Sequence, residues 1–206
     1  IAAIAARLAA ALEQVPAEWC DRVHVAFTAH SISEAMAGTC RYQVQLRETC
    51  RLTAAQLRLE PSRWQLVYQS RSGRPEDPWL GPDICDHLRT VQARGVSAVV
   101  IMPIGFLSDH IEVLYDLDCE ARHVCVELGL AMVRAGTVGT HPLFVQMIRE
   151  LIEERLPGSE TRVAIGEFPA WPDVCPEDCC PAPPASTHGR SPPFPPLFKG
   201  GEGGVG

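Results

Sequence analysis

Val23-His24-Val25-Ala26-Phe27-Thr28-Ala29-His30-Ser31 is a short run of apolar and β-branched character that ends abruptly in an imidazole and a hydroxyl. A run of this kind, without regular polar alternation, predicts a strand buried on both faces, as in a parallel sheet. Trp64 to Gln69 and Ala98 to Ile104 have the same character. Between the first two lies Ser33 to Leu59, rich in Ala, Gln, Leu and Arg, and between the second and third lies Pro82 to Arg94, with a proline start and Gly95 as a stop. Both intervals read as helices. The alternation predicts right-handed βαβ units, hence an α/β fold with a parallel sheet flanked by helices.

Working outward, Ile1 to Gln14 has helical composition, and because Ile1 is not an initiator methionine the chain is expected to be a fragment whose beginning is missing. A helix is predicted from Ser108 to Leu128, with Ser108 as N-cap, Asp109 in the first turn and Gly129 as the stop. A weaker strand is expected within Leu130 to Val138, then a helix from His141 to Arg155 with Pro142 in its first turn. Ten of the 18 prolines lie in the last 38 residues, and the chain ends in glycines. The expected organisation is therefore an α/β domain over residues 1–168, a cysteine-bearing segment over 169–181 and a disordered Pro/Gly-rich tail over 182–206.

The 206 residues carry 18 basic and 25 acidic side chains, a formal charge of −7, and the arginines are scattered instead of forming a stripe. That distribution argues against a nucleic-acid partner. Arg7, Glu13 and Asp109 interrupt the longest apolar stretches, so no transmembrane segment is predicted, while peripheral contact with a membrane surface stays open. Nine cysteines cannot all pair within one chain. Six are dispersed through the domain, which fits a reducing cytoplasm, whereas Cys175, Cys179 and Cys180 sit together and call for a metal explanation.

Ligands of open parallel sheets collect beyond the carboxyl ends of the strands, so the residues after each apolar run are the informative ones. These are Thr28-Ala29-His30-Ser31, Gln69-Ser70-Arg71-Ser72-Gly73 and Phe106-Leu107-Ser108-Asp109-His110-Ile111-Glu112. Taken alone, His30 is equally readable as a hydrogen-bonded turn histidine. Glu112, Asp116 and Glu120 recur every four residues, which lines them along one side of a helix with Arg122 as the only base nearby. Such a row is either a solvated acidic face or a path for a divalent cation, for which oxygen ligands are suited.

The same segments resemble the ferrochelatase family. Thr28-Ala29-His30-Ser31 is similar to its Ser-Ala-His-Ser motif, although Ser33 stands where the family commonly has proline. Trp64-Gln65-Leu66-Val67-Tyr68-Gln69-Ser70-Arg71 with Pro78-Trp79-Leu80-Gly81-Pro82 resembles its Gln-Ser-Lys/Arg and Pro-Trp-Leu-Gly-Pro segment. Ser108-Asp109-His110-Ile111-Glu112, continuing to Leu114-Tyr115-Asp116, resembles its Ser-Asp-His-Ile-Glu-Thr-Leu-Tyr signature, and His141-Pro142-Leu143-Phe144 its Asn-Pro-Leu-Phe.

The resemblance implies a Rossmann-like chelatase domain, the C-terminal half of an enzyme that inserts Fe2+, its substrate, into a porphyrin during haem biosynthesis. It implies that His30 and Glu112 face each other across the porphyrin centre, that Asp109 and His110 support them, and that Asp116 and Glu120 lead cations toward Glu112. Trp79 matches an aromatic residue near the porphyrin pocket, with a structural tryptophan as the other reading. The remainder of the pocket would come from a missing N-terminal half of the same protein. These residue types suit the chemistry: two pyrrole protons must leave as the metal enters, an imidazole accepts a proton near neutrality, and imidazole and carboxylate release a cation that thiolates would retain.

Cys175, Cys179 and Cys180 resemble the tail of family members that hold a [2Fe-2S] cluster, which takes four thiolates. Cys20 is a candidate fourth ligand, and a zinc site or free thiols are the other readings. Two rival functions are a non-catalytic metal- or tetrapyrrole-binding module and a hydrolase using His30 with Glu112. The second lacks a Gly-x-Ser-x-Gly elbow.

Overall fold

Seven consecutive residues of the first strand, β1 (Val23–His30), are buried, and only its last residue is half-exposed. A strand so covered needs neighbours on both edges and helices on both faces. The computed structural model, which describes residues 1–177 other than 75, 157, 160, 161 and 176, supplies them. β1 pairs in parallel with β2 (Trp64–Gln69) on one side and with β3 (Ala98–Met102) on the other, and β3 pairs in parallel with β4 (Ala131–Arg134). The order is β2-β1-β3-β4.

Alternation along β1 sorts its side chains between two cores. Val25, Phe27 and Ala29 pack with Leu8 and Ala11 of α1 (Ala2–Leu12) and with Leu46, Cys50 and Ala54 of α3 (Tyr42–Gln56). Ala26 packs on the opposite face with Ile84, Leu88 and Val91 of α4 (Ile84–Ala93). Val113, Leu117 and Val124, from the helical stretch that follows β3, join this second core. The chain thus leaves β1 leftward over one face and leaves β3 rightward over the other, as a single handedness of crossover demands. The switch point lies between the carboxyl ends of β1 and β3.

Local chemistry accounts for the helix ends. Asp83 caps α4 by accepting from the Cys85 N–H at 2.8 Å, and Gly95, at φ +86°, lets the chain turn away after it. The interval 33–59 is two helices, because Ser33 caps the short α2 (Glu34–Ala37) and the Gly38-Thr39 turn breaks the spiral before α3. The segment expected to be one helix from Ser108 starts later, with His110 as cap, in α5 (Ile111–Val113). It then widens into a π-helical stretch, Leu114–Ala121, and returns to α-helix in α6 (Arg122–Leu128), closed by Gly129 at φ +67°. Ser108 fails as the cap because Asp109 is drawn aside to Arg134. β4 is shorter than the interval 130–138, since the chain bends off after Ala135 to let the Gly139 N–H donate to the Leu107 carbonyl at 2.8 Å. The last helix, α7 (Pro142–Glu153), is capped by His141.

Candidate active site

His30 ends β1 at the switch point. Its Nδ1 lies 2.5 Å from the Ser31 carbonyl oxygen, which can only accept, so Nδ1 carries the hydrogen. In the neutral ring Nε2 therefore bears the lone pair. That atom lies 3.7 Å from Oε2 of Glu112, with the two side chains 33% and 47% exposed. Two acceptors facing each other at this distance repel unless a proton or a cation comes between them. The geometry is that of a proton or cation acceptor open to solvent.

Glu112 is fixed through its backbone and flanked by a second imidazole. The His110 ring caps α5, its Nδ1 accepting from the Glu112 N–H at 3.3 Å and standing 3.9 Å from Oε2 of the same residue. The ring rests against Phe106 at a centroid distance of 5.2 Å. From the end of β2, the buried Gln69 donates through Nε2 to the Glu112 carbonyl at 3.3 Å and to Asp116 Oδ2 at 3.4 Å. The Ser70 hydroxyl donates to the same Asp116 oxygen, from a backbone held at φ +60°. A non-glycine residue in that region is strained and is retained where its surroundings fix it. Gln69 Oε1 and Thr28 Oγ1 are buried with no partner on this face.

Gly105 lets the β3 loop reach the site. A Cβ there would stand 2.7 Å from the Ala29 Cβ and 2.9 Å from the Ala29 Cα, and the Gly105 N–H donates to the Thr28 carbonyl at 3.0 Å. The segment around Trp79 is strapped to the β1 loop: the Glu34 N–H donates to Pro78 O, the Leu80 N–H to Ile32 O, and the Ser31 hydroxyl to Leu80 O. The half-buried Trp79 indole lies over Gly73, where any Cβ would meet it at 2.2 Å. Arg134, at the end of β4, binds Asp118 through Nε at 2.8 Å and Asp109 through Nη1 at 3.2 Å. Burial alone would lower the Arg134 pKa, but the carboxylates of Asp118 and Asp109 raise it above its ordinary value.

The structure thus brings His30, Glu112 and His110 together, with Asp116 joined to them through Gln69. Asp109 turns away to Arg134, and Glu120 is exposed farther along, where its charge helps raise the Cys85 thiol to about 11, behind burial and Asp83. Among the described residues, no group of three or more His, Cys, Asp or Glu side chains stands close enough to hold a metal ion. Cys175 is an exposed free thiol, Cys179 and Cys180 lie outside the described residues, and the Cys20 thiol points at the Val15 and Pro16 carbonyls. Among the described residues, no helix is long and apolar enough to cross a membrane. Sequence reasoning missed Arg134 and Gly105 and assigned Gln69 and Ser70 no task; the glycine after a buried strand was the signal available for one of them.

A parallel α/β domain with an imidazole and a carboxylate at its switch point belongs to the class of open α/β sheets, whose ligands bind beyond the carboxyl ends of the strands. The ferrochelatase family model matches residues 1–156. A ferrochelatase of Rhodopirellula baltica is 52% identical over 160 residues, covering 77% of this chain and 45% of that protein. A coproporphyrin III ferrochelatase of Streptomyces coelicolor is 47% identical over 189 residues, covering 83% and 50%. A ferrochelatase of Deinococcus radiodurans is 40% identical over 156 residues, covering 75% and 49%. The chain belongs to the ferrochelatase family and spans about half the length of these curated relatives.

Proposed function

We propose that the full-length protein carrying this chain inserts ferrous iron into a porphyrin, protoporphyrin IX or coproporphyrin III, in the cytoplasm, and that this chain supplies the metal- and proton-handling half. The observation that carries the reading is the His30–Glu112 pair, whose lone pairs face one another at 3.7 Å at the switch point.

Insertion exchanges two pyrrole N–H protons for one Fe2+, so two protons must find acceptors while the cation approaches. His30 takes one at Nε2, since its Nδ1 hydrogen is already committed to the Ser31 carbonyl. Glu112 takes the other or escorts the ion, and His110 supports it by accepting from its N–H as the cap of α5. Asp116 and then Glu120 continue the acidic path outward. Asp109 supports the loop through Arg134, and Trp79 borders the porphyrin. Residues 1–168 form the chelatase domain in this reading.

Cys175, Cys179 and Cys180 are proposed as ligands of a [2Fe-2S] cluster, supported by the exposure of the Cys175 thiol; no step of insertion passes through it. Visible absorption tests that assignment, and colourless, iron-free protein would defeat it. The activity is tested by following the absorbance change of each porphyrin with ferrous iron and the full-length protein. Turnover is expected with one porphyrin or both. Tight binding without turnover would favour the non-catalytic tetrapyrrole-binding module instead.

A further inference from the structure

The five carboxylates between Asp109 and Glu120 do not share one environment. Glu112 faces imidazoles and Asp116 receives only the uncharged donors Gln69 and Ser70. Asp109 and Asp118 are instead gathered by the guanidinium of Arg134, whose side chain is 15% exposed, with Arg122 standing 3.6 Å from Asp118 as a second, weaker partner. Its Nε lies 2.8 and 2.9 Å from the two Asp118 oxygens, its Nη1 and Nη2 lie 3.2 and 3.4 Å from those of Asp109, and Nη1 also donates to the Ala135 carbonyl at 3.3 Å. One planar fork thus fastens the end of β4 to the loop just before His110 and to the middle of the π-helical stretch.

We propose that Arg134 is a positioning residue for metal insertion: through Asp109 it fixes the loop that leads into His110 and Glu112, and together with Arg122 it holds Asp118 out of the acidic row, leaving Glu112, Asp116 and Glu120 to the incoming cation. This rests on the ferrochelatase reading. A lysine cannot replace it, because a single ammonium cannot present separate N–H groups to two carboxylates in a fixed plane. Releasing the clamp lets the Glu112 loop drift, and drift of about 1 Å costs on the order of 100-fold in a step that depends on alignment.

The test uses the full-length protein and steady-state insertion of ferrous iron. Arg134→Lys is expected to fold, to keep its porphyrin KM within about twofold, and to lose roughly 10- to 100-fold in kcat. Asp109→Asn, whose side chain is 37% exposed and tolerant of change, should show the same split. The double variant should be no slower than Arg134→Lys alone, because the contact that Asp109→Asn weakens is already lost there. A folded Arg134→Lys with wild-type kcat, or losses that multiply in the double variant, would overturn the assignment; should Arg134→Lys fail to fold, Asp109→Asn with wild-type kcat would overturn it alone. A wild type without turnover would overturn the ferrochelatase reading and this assignment with it.

Discussion

His30 Nε2 and Glu112 Oε2 face one another across 3.7 Å although the residues are 82 positions apart in the chain. β1 delivers the first and α5, which follows β3, the second, and these strands are direct neighbours with Phe27 opposite Met102. The pairing of the strands therefore sets the pairing of the groups.

Glu112→Gln keeps the shape of the side chain and removes its charge. Insertion by the full-length protein should fall by roughly 10²- to 10⁴-fold, the range for a positioned acid or base. Initial rates at saturating porphyrin check it, and a loss under threefold would remove Glu112 from proton or metal handling.

Gly105→Ala places a methyl group 2.7 Å from the Ala29 Cβ, on a backbone that cannot retreat without leaving the Thr28 carbonyl. A loss of about 1–3 kcal/mol in folding stability is expected. Urea unfolding measures it, and an unchanged midpoint would mean that the loop is not held against β1.

Ser70 combines a left-handed backbone with a hydroxyl donated to Asp116. Ser70→Ala keeps the strain and loses the bond, whereas Ser70→Gly loses the bond and relieves the strain. The glycine variant should be the more stable of the two by about 1 kcal/mol. The reverse order in thermal unfolding would contradict the backbone account.

His24 and His87 are buried with their Nε2 atoms 3.1 Å apart, so one donates and the other accepts, an arrangement lost once both rings are protonated. Burial first, then the charges of His87, Arg94 and Arg63, push His24 down to about 4; burial and then Arg94 do the same for His87. Both folded values lie below the ordinary 6.5, so the unfolded chain takes up protons first as pH falls. The stability contributed by the pair is complete above about pH 6.5 and is lost between there and about pH 4, by up to about 1.4 kcal/mol per pH unit for each ring. Replacing both by leucine should flatten the urea midpoint over that window relative to wild type. Parallel curves would contradict the burial argument.

Much of this was legible in the residues. Strands β1, β2 and β3 announce themselves as apolar runs because burial on both faces leaves no polar alternation to confuse them. His30 and Glu112 were readable because they follow such runs. β4 was harder, since Ala131–Arg134 is only half-buried and carries a weaker pattern. The π-helical stretch was not legible, because Leu117 and Ala121 face the core at the spacing an α-helix also uses. Arg134 was invisible as a clamp because its partners lie 25 and 16 positions upstream, and nothing in a single arginine says which carboxylates the fold will bring to it.

The most direct test is the rate at which His30→Ala, in the full-length protein, inserts ferrous iron into a bound porphyrin in a single turnover. Loss of insertion with porphyrin binding and folding intact is the predicted result. A folded variant that inserts iron at close to the wild-type rate would show that the imidazole at the end of β1 takes no proton.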